Sequence, residues 1–340
     1  MAFKISLQRQ RTHSRRRLPT EQLVRPPGRH FRPTDIRRAA AAEVKATVIK
    51  VSASGGGDFK TISDAVKSIP AGNKKRVVIS IAPGNYTEKV RVDRNKPFIT
   101  FHGDPQNPPV LVYDGTVDSA TLIVESDFFS AVNLKIVNSA PRPDGVRKGA
   151  QAAALRISGN RASFYNCGFY GYQDTVCDDK GKHFFKDCYI EGTVDFIFGS
   201  GKSLYLNSEI HVIPGDKMAM ITAHARSNNE EDTGYVFVHC KVTGQGPGIA
   251  YLGRSWFPSP RVVFAFSELG DAVHPEGWSD NKQPSTDSTV YFGEYNNKGP
   301  GANWEKRAKF AKKLSAADVE PFISLAFVEG SKWLLPPAKV

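Results

Sequence analysis

From residue 46 onward the chain alternates short Val-, Ile- and Phe-rich runs with Gly, Asn, Asp and Pro punctuation, a strand-and-turn pattern rather than a helical one. Two stretches carry helical spacing. One is FKTISDAVKSI (59–69), with Ile62, Ala65, Val66 and Ile69 on one face; the other begins NWEKRAKFAKKLS and runs from 303 to about 323. Both are expected to cap or flank a β body.

Inside that body one pattern recurs. VNLKI (132–136), YNCGF (165–169), KDCYI (186–190), LNSEI (206–210) and VHCKV (238–242) each set a polar residue three places before an apolar one. The closing apolar positions are 33, 21, 20 and 32 residues apart. A short strand returning at such intervals, with insertions of variable length, is the mark of a solenoid whose coils bury their faces by stacking on one another. A βαβ arrangement competes, but these intervals leave no room for a helix in each crossover. The expected fold is therefore all-β, a right-handed parallel β-helix with short flanking helices at its N- and C-terminal ends. In that fold Cys167, Cys188, Ser208 and Cys240 form one inward ladder.

The same period acts on polar residues. Asp174 and Asp195 lie 21 residues apart, and Gln151 precedes Gln173 by 22. With one coil of about 21 residues, the two aspartates occupy equivalent places on adjacent coils, separated by roughly the 4.8 Å between paired strands. Gln151, the Gln173–Asp174 pair and Asp195 then line one ridge over three coils. Neighbours in a regular strand point to opposite faces, so Gln173 and Asp174 can share a site only if QDT forms a bend or bulge. Two unit charges roughly 5 Å apart at an effective dielectric of 20 repel by about 3 kcal/mol, which splits their pKa values by about two units. One carboxylate stays ionised while its partner holds a proton, the division of labour of a nucleophile or base beside a general acid. The amides of Gln151 and Gln173 can donate to a developing oxyanion. Carboxylate pair and amides together point to acyl transfer more than to glycoside cleavage; a purely structural role, capping backbone groups near turns, is the alternative.

Composition sharpens the outline. A chain of 340 residues with 40% hydrophobic content can build a sizeable core. The formal charge of +12 belongs mostly to residues 1–40, which hold 11 Lys/Arg against Glu21 and Asp35; the rest carries only +3. This Pro- and Arg-rich stretch, with RTHSRRR as its densest run, reads as a disordered, solvated leader over 1–43, ahead of a body over 44–340. A targeting, nucleic-acid or polyanion patch is the alternative for that run; no nucleic-acid partner is expected for the protein. It contains no apolar run of 18 residues, so no membrane span is expected, and the leader lacks the apolar segment of a secretory signal. Cys167, Cys177, Cys188 and Cys240 show no metal-binding spacing and read as buried thiols; no metal is expected.

Seven phrases, in order over residues 55 to about 335, carry a family resemblance: GDFKTISDAV, PGNYTEKV, DGTVDSAT, QAAALRISG, GYQDTV, GTVDFIFG and YLGRSW. They resemble the plant pectin methylesterases. The resemblance implies a right-handed parallel β-helix that removes methyl groups from the galacturonate esters of pectin, releasing methanol without a cofactor. It implies that Asp195 attacks the ester carbonyl, Gln151 and Gln173 hold the oxyanion, and Asp174 protonates the departing methanol and then activates water. Arg254, in LGRSW, would bond Asp195 and favour its anion. Phe198 and Trp256 match aromatics that line the sugar cleft, and Trp278, in PEGWSD, is a further candidate for its rim. The implied partners are methyl-esterified homogalacturonan (pectin) and a proteinaceous pectinesterase inhibitor; the implied setting is extracellular, in the cell wall, as a monomer.

Several positions depart from the pattern. Cys177 stands where a substrate-contacting Tyr is usual, Leu122 where Phe is common, and the aromatic that often follows GW is missing near Asn281. Ser208 replaces a Cys that in many relatives pairs with the counterpart of Cys240, so that disulfide is expected to be absent. The leader is too short to be the inhibitor-like pro-region of some members. A pectin-binding wall protein with weak turnover is the alternative that the thinned cleft suggests. Another β-helix enzyme, a polygalacturonase or pectate lyase, fits less well, because GHG and RIK motifs and a calcium-ligand cluster are missing.

Overall fold

The computed structural model describes residues 34–116, 119–215 and 218–336. Over these the chain winds as a right-handed parallel β-helix: eight coils each lend one strand to each of three sheets, and Thr47–Val51, Tyr291–Tyr295 and Lys312–Lys313 extend the first of them to eleven strands against eight and eight. Ile136, Phe169, Ile190, Ile210 and Val242 fall in one register row, as their spacing predicts, and all are buried. The recurring polar residue three places earlier has its own physical cause. Asn133, Asn166, Asp187, Asn207 and His239 all adopt left-handed backbone, with φ between 49 and 58°, at the corner where the eleven-stranded sheet turns into the next. Asn and Asp are the L-residues that visit this region at least cost. The corners also bond to one another: Asn166 Nδ2 donates to Asn133 Oδ1 at 2.9 Å.

Inside the solenoid, Phe164, Phe185, Tyr205, Phe237 and Phe264 stack in a file, with ring centroids 4.4 to 4.7 Å apart. That spacing is the distance between paired strands, so one ring per coil suffices to fill this part of the core. Cys167, Cys188, Ser208 and Cys240 lie buried on successive coils, and the four cysteines are free thiols, Ser208 leaving Cys240 without a disulfide partner.

Three segments close the ends and flanks. Helix α1 (Thr34–Glu43) corrects the leader boundary: Ile36, Ala39 and Ala42 are buried, and Asp35 and Glu43 pair with Arg161 and Arg76 at 2.6 and 2.8 Å. Small residues spaced three apart let this helix dock closely beside Phe98 and Phe128, an apolar stripe hidden by the surrounding arginines. Residues 1–33, with the RTHSRRR run, lie outside the described residues. Helix α2 (Ile62–Ser68) falls within the predicted stretch, capped by Thr61 Oγ1 accepting from the Asp64 amide, while the Glu88 carboxylate accepts from the Ile62 and Ser63 amides. The second expected helix is largely replaced. Lys312 and Lys313 instead add an edge strand to the last coil, whose backbone needs partners, and only α3 (Ala316–Val319), with a Ser315/Asp318 capping box, is α-helical. No helix among the described residues is long and apolar enough to cross a membrane.

Candidate active site

The site lies where coils turn into the eight-stranded sheet that contains Leu155–Ile157, Val176–Asp178, Ile197–Gly199 and Ala250–Arg254. Asp174 and Asp195 each stand two residues before their strand, and both have left-handed backbone, with φ of 68 and 52°. The bend required of QDT is thus present, and it is made by the aspartate itself. The Asp174 amide donates to Val194 O at 3.1 Å, which sets the two aspartates opposite each other on adjacent coils. The 22-residue step from Gln151 to Gln173 also has a local cause. The amides of Ala154 and Leu155 both donate to Thr175 O, at 2.8 and 3.2 Å, so the register slips by one residue, and the Ala152 amide meets Gln173 O. Gln151 and Gln173 therefore stand at equivalent places on neighbouring coils, both half-buried.

Arg254 completes the group. Its Nε donates to Asp195 Oδ1 at 2.7 Å and its Nη2 to Oδ2 at 2.5 Å, a two-pronged pair at a carboxylate only 8% exposed. The strand carrying Arg254 is two places from that of Asp195, with Ala219–His224 between them. The arginine therefore spans the intervening strand to reach Asp195. The glycine before it is required by packing: a Cβ on Gly253 would lie 2.3 Å from Thr222 Oγ1 and 3.1 Å from the Trp278 ring. Burial raises the pKa of Asp174 to about 7, the charge of Asp195 adds to the shift, and Arg254 opposes it. Asp174 can therefore hold a proton near neutrality beside a carboxylate committed to an arginine, which is the asymmetry acid–base work needs.

Asp178, four residues beyond Asp174, has a different fate. It points into the core, where His183 Nδ1 and Tyr205 OH bond its carboxylate at 2.6 and 2.7 Å. Such a buried carboxylate, fully occupied by partners, is structural.

Of the expected cleft residues, Phe198 and Trp256 meet edge to face at 6.1 Å, and Trp256 is 39% exposed. Phe257, not singled out from the sequence, extends the group, 5.1 Å from Trp256. Cys177 lies beside Phe198 in the register, outward with Ile123 and Ala153; burial and the charge of Asp179 push its thiol well up, so it is a small apolar contact rather than a nucleophile. Two expectations fail. Trp278 is only 1% exposed, stacked on Phe292 at 4.5 Å with its Nε1 donating to Glu294 at 3.0 Å, so no ring face is left for a sugar. Leu122 likewise points inward, paired with Val90 and Leu155, and its substitution belongs to the core, not the cleft. On the other side of the aspartates, Arg142 sits 5.7 Å over the Tyr172 ring, and with Thr193 and Gln173 it lines a hollow of about 120 Å³. Tyr172 could have been noticed from its place next to Gln173; Arg142 carried no signal, because it comes from a distant loop.

Fold and site together define a carboxylic ester hydrolase built on a parallel β-helix, and comparison with known proteins supplies the family. The Pectinesterase family model matches residues 48–331, and the chain belongs to that family. It is 63% identical to Pectinesterase 2 of Olea europaea over 91% of this chain and 88% of that protein. Among solved structures, the pectin methylesterase from carrot superposes with a TM-score of 0.79 at 31% identity, covering 85% of this chain and 97% of that one. A pectin methylesterase in complex with a hexasaccharide matches at 26% identity with a TM-score of 0.70, over 85% of this chain and 98% of that one. The activity is the family's: hydrolysis of the methyl esters of homogalacturonan to galacturonate and methanol.

Proposed function

We propose that Asp195 is the nucleophile and Asp174 the acid and base of this hydrolysis. The observation that carries the assignment is the pairing of Asp195 with Arg254 beside an Asp174 whose pKa is about 7. An Asp195 oxygen attacks the ester carbonyl carbon, and the amides of Gln151 and Gln173 donate to the oxyanion, each well-placed donor being worth about 3 kcal/mol. Collapse expels the methoxy group, which takes the Asp174 proton and leaves as methanol, with the galacturonyl group held on Asp195 as an anhydride. Asp174, now ionised, removes a proton from water; the hydroxide attacks the galacturonyl carbon and Asp195 departs as carboxylate. Hydroxylamine tests the intermediate: with methylated oligogalacturonate it should form a hydroxamate as methanol is released. Methanol release without hydroxamate would point instead to Asp195 as a base acting on water.

The aromatic assignments separate cleanly by measurement. Trp256→Ala should raise KM for pectin about tenfold, the loss of one sugar-stacking face, and cost under about 1 kcal/mol of stability. Trp278→Ala should do the reverse, destabilising by about 3 to 5 kcal/mol through the cavity it opens. If Trp278→Ala alone altered KM in a stable protein, the cleft would have to be redrawn.

Cys177→Tyr restores a ring beside Phe198 and should tighten binding of methylated oligogalacturonate several-fold in calorimetry; unchanged affinity would mean that this position is not a subsite. We further propose that the protein acts outside the cell, in the wall, as a monomer, with a proteinaceous pectinesterase inhibitor as a second partner. The support for this is the resemblance to plant pectinesterases over nearly the whole chain.

A further inference from the structure

A second groove, of about 720 Å³, lies on the molecule away from the aspartates and contains none of the residues assigned to them. It follows the edge where strands of the eleven-stranded sheet begin. Lys202, Arg261, Tyr291 and Lys312 are the first residues of four of those strands, and Lys202 pairs in register with Gly234 and Arg261 with Tyr291. Lys202 and Arg261 therefore stand two coils apart, roughly 9.6 Å along the solenoid axis, with Tyr291 on the next coil and Lys312, paired with Gly293, on the last. Its charged lining is Lys202, Arg226, Arg261, Lys312 and Lys313 against Asp232 and Asp318, an excess as large as that of the whole body beyond residue 40.

The cations differ in availability. Arg226 is buried, and its guanidinium is committed to Asn229, Glu231 and Ser259, so it holds the 226–232 loop. Lys202 and Arg261 share Asp232, at 2.6 and 3.6 Å. Lys312 and Lys313 are exposed and face rings rather than carboxylates: Lys312 lies 5.8 Å from the centre of Tyr291 and Lys313 5.7 Å from that of Trp304. Tyr291 is itself braced by Phe322 at 5.5 Å. Cations repeating along one direction beside an aromatic ring suit a chain of sugars that each bear a carboxylate.

Chain connectivity links groove and cleft: Trp256 and Phe257 stand on the six-residue segment 255–260 that runs from Arg254 to Arg261. We propose that this groove is a second polyuronate site, which holds the de-esterified stretch of galacturonan after the cleft has acted on it. The proposal rests on the pectinesterase activity for its ligand but not on the assignment of Asp195 and Asp174.

Calorimetry with fully unmethylated decagalacturonate tests it, using the wild type, Lys312→Glu/Lys313→Glu and the cleft variant Trp256→Ala. The exposed lysines can be reversed without disturbing packing. The expected result is a binding event that Trp256→Ala leaves in place and the lysine reversal weakens at least tenfold. Methanol release from a methylated trimer should be unchanged in the lysine variant, and release from long, partly de-esterified pectin should fall several-fold. Binding that survives the lysine reversal in full, that vanishes with Trp256→Ala, or that poly-glutamate of equal length reproduces at equal affinity would overturn the second site. No methanol from the trimer with wild-type protein would instead strike at the esterase activity, leaving the binding result to be read separately.

Discussion

Asp195→Asn is expected to abolish methanol release, lowering kcat by at least about 10⁴-fold, if Asp195 is the covalent nucleophile proposed above and the rest of the site stays intact. Asparagine matches the shape of aspartate but presents an amide nitrogen where Arg254 now finds a carboxylate oxygen. One of the two bonds, at 2.7 and 2.5 Å, is lost, and a half-buried guanidinium keeps only a neutral partner. The cost should be about 1 to 3 kcal/mol of stability, which a domain of this size tolerates. Thermal melting and methanol release measured on the same preparation separate the two effects. A folded Asp195→Asn protein with wild-type turnover would remove Asp195 from the mechanism. A protein that fails to fold would be followed by Arg254→Lys, which keeps one charge–charge contact and should lose turnover through misorientation alone.

The second large effect belongs to Asp174. Its pKa of about 7 is raised first by burial and then by the Asp195 charge, against the pull of Arg254. With Asp174 as the proposed acid of acylation, kcat/KM for a short methylated oligogalacturonate should fall about tenfold per pH unit above that value. A profile that stays flat from pH 6 to 9 would exclude Asp174 as the acid. The same shift has a stability consequence. A raised carboxyl pKa means that the folded state keeps a proton that the unfolded chain has released. Stability is therefore undiminished below the unfolded value of about 4, declines as pH rises, and reaches its full loss above the folded value. Three pKa units correspond to about 4 kcal/mol, an upper bound for a side chain that is not fully buried. Asp174→Asn removes that loss. It should melt higher than wild type at pH 8 and nearly level with it at pH 4, while its turnover falls by about 10² to 10⁴ for want of an acid and base. A variant less stable than wild type at pH 8 would mean that the ionised carboxylate is held by favourable contacts rather than penalised.

These two effects arise from one backbone feature. Asp174 and Asp195 occupy left-handed positions at coil entrances, as Asn133, Asn166, Asp187 and Asn207 do at another corner. The corner residues spend their side chains on one another and on the backbone. The site residues instead turn them toward a common surface, where repulsion and burial act on one and an arginine on the other. A residue type suited to tight corners has thus been placed where its side chain can react.

What could be read along the chain was whatever repeats with the coil. A β-helix stacks equivalent residues at a spacing set by backbone hydrogen bonds, so the interval from Ile136 to Phe169, Ile190, Ile210 and Val242 already determined the register, and with it the adjacency of Gln151, Gln173, Asp174 and Asp195. The polar residue heading each repeat was visible too, although its left-handed corner was not. Tertiary structure decided what does not repeat. Whether Trp278 faces sugar or core depends on which side of a two-residue strand it occupies, and Phe292 and Glu294, contributed by the next coil, claim it for the interior. Whether residues 34–43 are tail or helix depends on Arg76, Arg161 and the Phe98–Phe128 surface waiting far along the chain. The stretch after residue 303 carries helical spacing, yet the open edge of the last coil recruits Lys312 and Lys313 as a strand, because unpaired backbone groups at a sheet edge gain more from a ladder than from an isolated helix. Arg142 reaches Tyr172 only through loop geometry, and Lys202, Arg261, Tyr291 and Lys312 line a groove only because strands distant in sequence begin at the same edge. Local spacing specifies stacking along the axis; contacts across it and around it wait for the folded chain.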